Sequence, residues 1–169
     1  MGESQLTEER ILEAAEEVLR RFGPSKATVV DVARALDVSH GSVYRFFPSK
    51  AALRDAVARR WLKRITDELE VVAISDKPPL ERVYLWLKTL ISLKQTRALS
   101  DHELFMTYLT IAEEAREVIQ KHVDHMIDQL ARILEEGHQA GVLEAPDPQE
   151  TASVILGASA KPNLQPDSA

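Results

Sequence analysis

Val38 to Lys50 reads VSHGSVYRFFPSK and sets three of the chain's nine aromatic residues, Tyr44, Phe46 and Phe47, among small, hydroxyl and basic side chains. A buried core accounts for one or two of these rings. It does not account for a Tyr flanked by Ser, Arg, His and Lys. The stretch predicts a short helix from about His40 to Phe47, broken by Pro48-Ser49, with Ser49 placed to cap the helix that follows. Upstream, Thr28 is a good N-cap for another short helix ending near Leu36, and Asp37-Val38-Ser39 is the turn between the two. Two short helices joined by a three-residue turn are the pattern of a helix-turn-helix.

That pattern assigns sides to the residues. Ala33 is small where the helices cross, Val38 plugs the turn, and Val43 and Phe46 are expected to point inward, with Phe47 packing as well. Asp37 falls where the turn calls for a positive φ, which Asp tolerates better than most residues. His40, Gly41, Ser42, Tyr44 and Arg45 are then left on the start and outer face of the second helix. Small, hydroxyl and basic groups at a helix start are suited to the major groove of duplex DNA.

The rest of the chain repeats the 3.6-residue period and lacks the alternation of strands, so the expected fold is all-α. A first helix starts near Thr7, buries Ile11, Leu12, Ala15, Val18, Leu19 and Phe22, and ends with Arg20 and Arg21 before Gly23-Pro24. A long helix is expected from Lys50 to about Ser75. SDKPP at 75–79 then reads as a linker, and Pro78-Pro79 opens a helix with Val83, Leu87, Leu90 and Ile91 on one face. A shorter apolar helix from Asp101 holds Leu104, Phe105, Tyr108 and Leu109. A long one from about Glu114 to Ala140 ends at Gly141, and a last one runs from Asp147 to about Ser159. The ending KPNLQPDSA has two prolines and no periodicity, so a disordered tail is expected at 161–169. The domain reading is a helix-turn-helix DNA-binding domain at 1–50, joined by the long helix to a helical ligand-binding and dimerisation domain at 51–160.

Charge is distributed to match. The net charge is -6, yet Arg20 to Arg64 contains eleven Lys and Arg against three acids, a net of +8. From Ile65 onward nine basic residues face eighteen acidic ones. A basic end on an acidic body is the footprint of a protein that presents one end to phosphates. The absence of cysteine removes disulfides and thiolate chemistry, and suits a reducing compartment. With a charged start and no apolar run long enough to span a bilayer, the chain reads as cytoplasmic, without a membrane partner.

The residues 7–22 (TEERILEAAEEVLRRF), Gly23 and 28–53 (TVVDVARALDVSHGSVYRFFPSKAAL) closely resemble the tetracycline-repressor (TetR) family of bacterial transcription regulators. Weaker likeness continues to about Gly157, through EEGHQAGVL. The resemblance implies a three-helix DNA-binding head, a helical effector-binding and dimerising body, and ligand-controlled binding of a palindromic operator by a homodimer, as a repressor. Carried over position by position, it puts Thr28, Ser42, Tyr44 and Lys50 on DNA phosphates. Val30, His40, Gly41 and Arg45 would lie near base edges. The family ends with two long antiparallel helices that pair across the dimer, and this chain supplies at most the beginning of the first, so a shortened C-terminus is expected.

For the effector, an unidentified small molecule, Trp86, Phe105, Tyr108, Leu109, His122 and Met126 lie on helices that line the ligand cavity in similar proteins. An apolar pocket with a few polar groups is what such a site needs, and ordinary core packing accounts for each residue singly just as well. His122 and His125 stand near one another in sequence, but without Cys or a clear third ligand they predict no metal site, and no cofactor is expected. No phosphate loop, nucleophile triad or set-apart carboxylate pair points to an enzyme. The rival reading is a helical interaction protein that does not pair with itself but docks a partner or titrates a full-length relative.

Overall fold

Thr7 opens the first helix, α1 (Glu8–Phe22), where its hydroxyl oxygen accepts a hydrogen bond from the Arg10 amide at 3.3 Å. Glu8 and Glu9 in the first turn, and Arg20 and Arg21 in the last, each complement the helix dipole. Gly23, at φ 74°, turns the chain out and donates its N–H to the Leu19 carbonyl at 2.8 Å. The structure is a computed structural model that describes residues 5–100, 108–111 and 114–160. The helix expected from Asp101 is described only at 108–111, which are helical; Phe105 and the tail at 161–169 lie outside the described residues.

After α1 come α2 (Val29–Ala35), α3 (His40–Tyr44), α4 (Lys50–Ala73), α5 (Pro79–Ser100), α6 (Arg116–Gln139) and α7 (Pro148–Ala160). Every element among the described residues is an α-helix, as the periodicity predicts. The chain divides into two compact units, one of Met1–Arg64 with Thr96–His122 and the other of Ile65–Gln95 with Val123–Ala169.

In the first unit one apolar core joins Ile11, Leu12, Ala15 and Val18 of α1 to Val29, Val32 and Ala33 of α2, and to Val43 of α3. Phe47, then Leu53, Ala56 and Val57 of α4, and Tyr108 complete it. Each fully buried aliphatic side chain here contributes about 1.5–3 kcal/mol. The turn between α2 and α3 is fixed by Asp37, at φ 53°, and by the Val38 N–H on the Ala33 carbonyl at 3.0 Å. Ser49 caps α4 as expected, its hydroxyl accepting from the Ala52 amide at 3.0 Å.

Two inward assignments need correction. Phe46 is 40 % exposed, whereas Phe47 is 5 % exposed. Pro48 disfavours helical geometry at Phe47, so α3 stops at Tyr44 and the Phe46 and Phe47 amides both fold onto the Val43 carbonyl at 3.0 Å. The tightened turn brings the later ring into the core. Phe22 is also exposed, at the last position of α1, with the Arg21 guanidinium 5.3 Å above its ring.

In the second unit Leu69 of α4, Trp86 and Leu90 of α5, Leu130, Ile133 and Leu134 of α6, and Ala152 and Leu156 of α7 are buried. Of the face read from the sequence, Val83, Leu87, Leu90 and Ile91, only Leu90 is buried; Val83 and Leu87 are half-buried and Ile91 is exposed, and the inward stripe of α5 is Arg82, Trp86 and Leu90. The stripe is rotated because Arg82 reaches inward, donating to the carbonyl of Ala73 at the end of α4 at 2.8 Å and pairing with Glu136. The Trp86 indole N–H donates to Gln129 at 3.2 Å, and the Gln129 amide donates to the Thr66 carbonyl at 2.9 Å, so this buried polar chain is satisfied. Gly137 is closely packed: a Cβ there would stand 2.6 Å from a Leu143 methyl, which would have to shift. No helix among the described residues is long and apolar enough to cross a membrane.

Candidate DNA interface

All eight residues predicted to meet DNA belong to the first unit, and all have surface exposure: Ser42 is half-buried and the other seven are exposed. Local structure explains how each is held. Thr28 and Asp31 form a capping box: Thr28 Oγ1 accepts from the Asp31 amide at 3.2 Å, and the Asp31 carboxylate accepts from the Thr28 amide at 3.1 Å. The Thr28 hydroxyl also donates to Asp31 at 2.6 Å, and chiefly for that reason the Asp31 carboxyl titrates below its ordinary range. Val29 fills the core behind this cap while Val30, the next residue, is 50 % exposed.

At α3, Ser39 is the N-cap, accepting from the Ser42 amide at 3.2 Å, and its oxygen lies 2.9 Å from the Ser42 hydroxyl. His40 and Tyr44, one turn apart, meet edge to face with ring centroids 6.3 Å apart. Val43 anchors the helix with no exposure at all, which leaves these rings on the outer side. Gly41 has open surroundings: an added Cβ would meet only the Ser39 hydroxyl, at 3.7 Å, an ordinary contact. The fold itself does not require glycine there.

The net charge of +8 between Arg20 and Arg64 overstates what this unit presents to solvent. Arg60 pairs with Glu9 at 2.7 Å, Glu16 at 3.3 Å and Glu13 at 3.5 Å, and Arg64 pairs with Glu16 at 2.9 Å. Arg54 pairs with Glu114, Arg34 with Asp31, and Arg20 with Glu17. By contrast, among the described residues Lys26, Arg45 and Lys50 have no carboxylate partner. Sequence counting missed this pairing, although the run of Glu9, Glu13 and Glu16 on one face of α1 carries the signal.

The residues suggested for an effector are not gathered in one unit. Trp86 and Met126 are buried in the second. Tyr108, Leu109 and His122 belong to the first, where Leu109 is exposed and His122 half-buried. Tyr108 is 3 % exposed and stacks on Trp61 with centroids 4.0 Å apart, and its hydroxyl is buried without a hydrogen-bond partner. Burial first, and the nearby Glu16 carboxylate second, push its phenol pKa upward, so the hydroxyl stays protonated. Clefts of about 420 Å³ beside Arg82 and Arg132, and of about 260 Å³ beside Arg59 and Lys121, are lined by other residues. No three metal-ligating side chains converge among the described residues.

Residues 11–57 match the model described as bacterial regulatory proteins, tetR family, and residues 79–164 match the tetracyclin repressor-like C-terminal domain. The HTH-type transcriptional regulator YhgD of Bacillus subtilis is 31 % identical over 148 residues, 86 % of this chain and 76 % of that protein. Other curated relatives are matched over less than two thirds of their own length. Among solved structures, the transcriptional regulator FadR from Bacillus subtilis in complex with stearoyl-CoA superposes with a TM-score of 0.65 at 22 % identity, covering 90 % of this chain and 83 % of that one. SmeT, the repressor of the Stenotrophomonas maltophilia multidrug efflux pump SmeDEF, superposes at 0.66 with 24 % identity, covering 95 % and 82 %. A helix-turn-helix with its outer face open, a second family model covering half of the chain, and a regulator aligned along most of its own length together make this chain a member of the TetR family, a DNA-binding transcriptional regulator rather than an enzyme.

Proposed function

We propose that the protein represses transcription by binding a palindromic operator as a homodimer, and that a largely apolar small molecule controls that binding. The observation that carries the DNA-facing part is the exposed face of α3 bordered by two cations without a carboxylate partner among the described residues, Arg45 at its end and Lys50 at the start of α4. Lys50, Tyr44 and Ser42 are assigned to phosphates, and His40, Gly41, Arg45 and Val30 to base edges. Thr28 contributes least, because its hydroxyl and its amide are both engaged by Asp31.

Pairing is supported by α7, which buries Ala152 and Leu156 yet leaves Val154, Gly157 and Ala158 exposed. A helix that is apolar on a second face has that face available to another copy. Two recognition helices about 34–36 Å apart are needed to reach successive major grooves, which is what makes a dimer and a palindrome go together. Among the residues suggested for the effector, Tyr108 has the most support: its hydroxyl is buried and unpartnered, in the same apolar core as Val43 of α3. FadR is seen with stearoyl-CoA and SmeT represses an efflux pump; an apolar effector for this chain is consistent with both.

The test is site selection from a pool of random duplexes, followed by titration of the selected site with native mass determination and a screen for molecules that release it. A two-fold symmetric site bound by two chains is the expected result. A single chain on an asymmetric site overturns the dimer, and the interaction protein then becomes the better reading.

A further inference from the structure

Phe46 lies just beyond α3 with much of its ring at the surface. Phe47 takes the core position, so folding leaves the neighbouring ring 40 % exposed. Among the described residues the other exposed phenylalanine, Phe22, has the Arg21 guanidinium over its ring. Among the described residues Phe46 has neither a ring nor a cation against it. It directly follows Arg45, one of the unpaired cations assigned to DNA. Val30 is a second case: Val29 and Val32 fill the core from α2, whereas Val30 is 50 % exposed at the second position of that helix.

Polar and charged side chains find hydrogen-bonding partners throughout the major groove. An apolar side chain finds chiefly one complementary feature there, the C5-methyl group of thymine. We propose that Val30 and Phe46 read thymine methyl groups, so that part of this protein's sequence preference is set by apolar contact and not by hydrogen bonds. The inference rests on DNA binding through α2 and α3. It adds Phe46 as a specificity-determining residue and commits the operator half-site to thymines opposite both side chains.

Deoxyuridine tests it, because it pairs as thymidine does and lacks only the methyl. A site is selected from random duplexes with the full chain, then resynthesised with each thymidine singly replaced by deoxyuridine. At least one replacement opposite each side chain should weaken binding about fourfold, equivalent to about 0.8 kcal/mol for a methyl removed from an apolar contact. This first readout needs no variant. In Phe46→Ala the penalty at one position should vanish, and in Val30→Ala the penalty at another, each variant binding thymidine and deoxyuridine duplexes alike. A selected half-site without thymine, a site indifferent to every replacement, or a Phe46→Ala protein that keeps the whole penalty overturns the proposal. If no duplex is selected at all, DNA binding by this chain fails first, and the inference falls with it.

Discussion

Two basic regions of the first unit share a sign and differ in their partners. Along α1 and α4, Arg60 pairs with Glu9, Glu13 and Glu16, and Arg64 with Glu16, which is itself buried. Around α3, Arg45 and Lys50 stand exposed with no acid beside them. A count of charges along the sequence treats the regions alike. Their fields in solution differ, since a paired guanidinium is largely cancelled beyond a Debye length of about 8 Å at physiological salt, and an unpaired one keeps its counterions for a phosphate to displace. The first region is a joint; the second is the one proposed to contact DNA.

Breaking the joint should have the largest effect. Replacing Arg60 and Arg64 together by Ala leaves the Glu16 carboxylate buried without a cation, and about 3 kcal/mol of stability is expected to go, at the lower end for a stranded buried partner. Urea denaturation measures it. The salt slope of DNA binding should not change; a flatter slope with intact stability would move Arg60 or Arg64 to the proposed contact surface and erase the distinction. On the other side, Arg45→Ala should leave the fold intact and relax discrimination at particular base pairs by about 1–3 kcal/mol. Site selection with this variant yielding the parental consensus would remove Arg45 from the bases.

Lys50→Ala sharpens the contrast further, since it should weaken all sequences alike and flatten the logarithmic salt dependence by about 0.9 for the one phosphate lost. Titration at several salt concentrations decides it, and an unchanged slope places Lys50 off the backbone. The smallest change concerns Tyr108. Tyr108→Phe deletes a buried hydroxyl that has no partner, so stability should hold or rise by at most about 1 kcal/mol, read as a melting temperature. If the hydroxyl serves the effector, release of DNA by a molecule found in screening should weaken in this variant. A full parental response leaves Tyr108 as core alone.

Helix termini were the most legible part of the chain, because each is written in local chemistry: Thr7, Thr28 and Ser49 cap where expected, Gly23 and Gly141 turn out at positive φ, and Asp37 takes the left-handed conformation. Faces were less legible wherever a single residue tipped the choice. Val43 and Phe46 are three apart and Val43 and Phe47 four apart, so helical spacing allows either ring inward, and only the turn before Pro48 decides. On α5 the apolar residues occupy two sides, and the inward one is selected by Arg82, a residue that a hydrophobicity pattern assigns to solvent. Pairing between distant charges was least visible, since Glu16 and Arg64 meet across 48 positions. The surface exposure of the eight residues assigned to DNA was readable because it follows from a short motif whose inward positions are few.

Asp37 has a consequence for how such a protein changes over time. A non-glycine residue at φ 53° retains some strain, and Asp37→Gly would relieve it, raising the melting temperature by the equivalent of about 1 kcal/mol. Gly41, four positions on, accepts a side chain without a clash. The head thus holds an unused margin of stability a few residues from a position open to variation, an arrangement that favours the evolution of new operator preferences by small, separately tolerated steps.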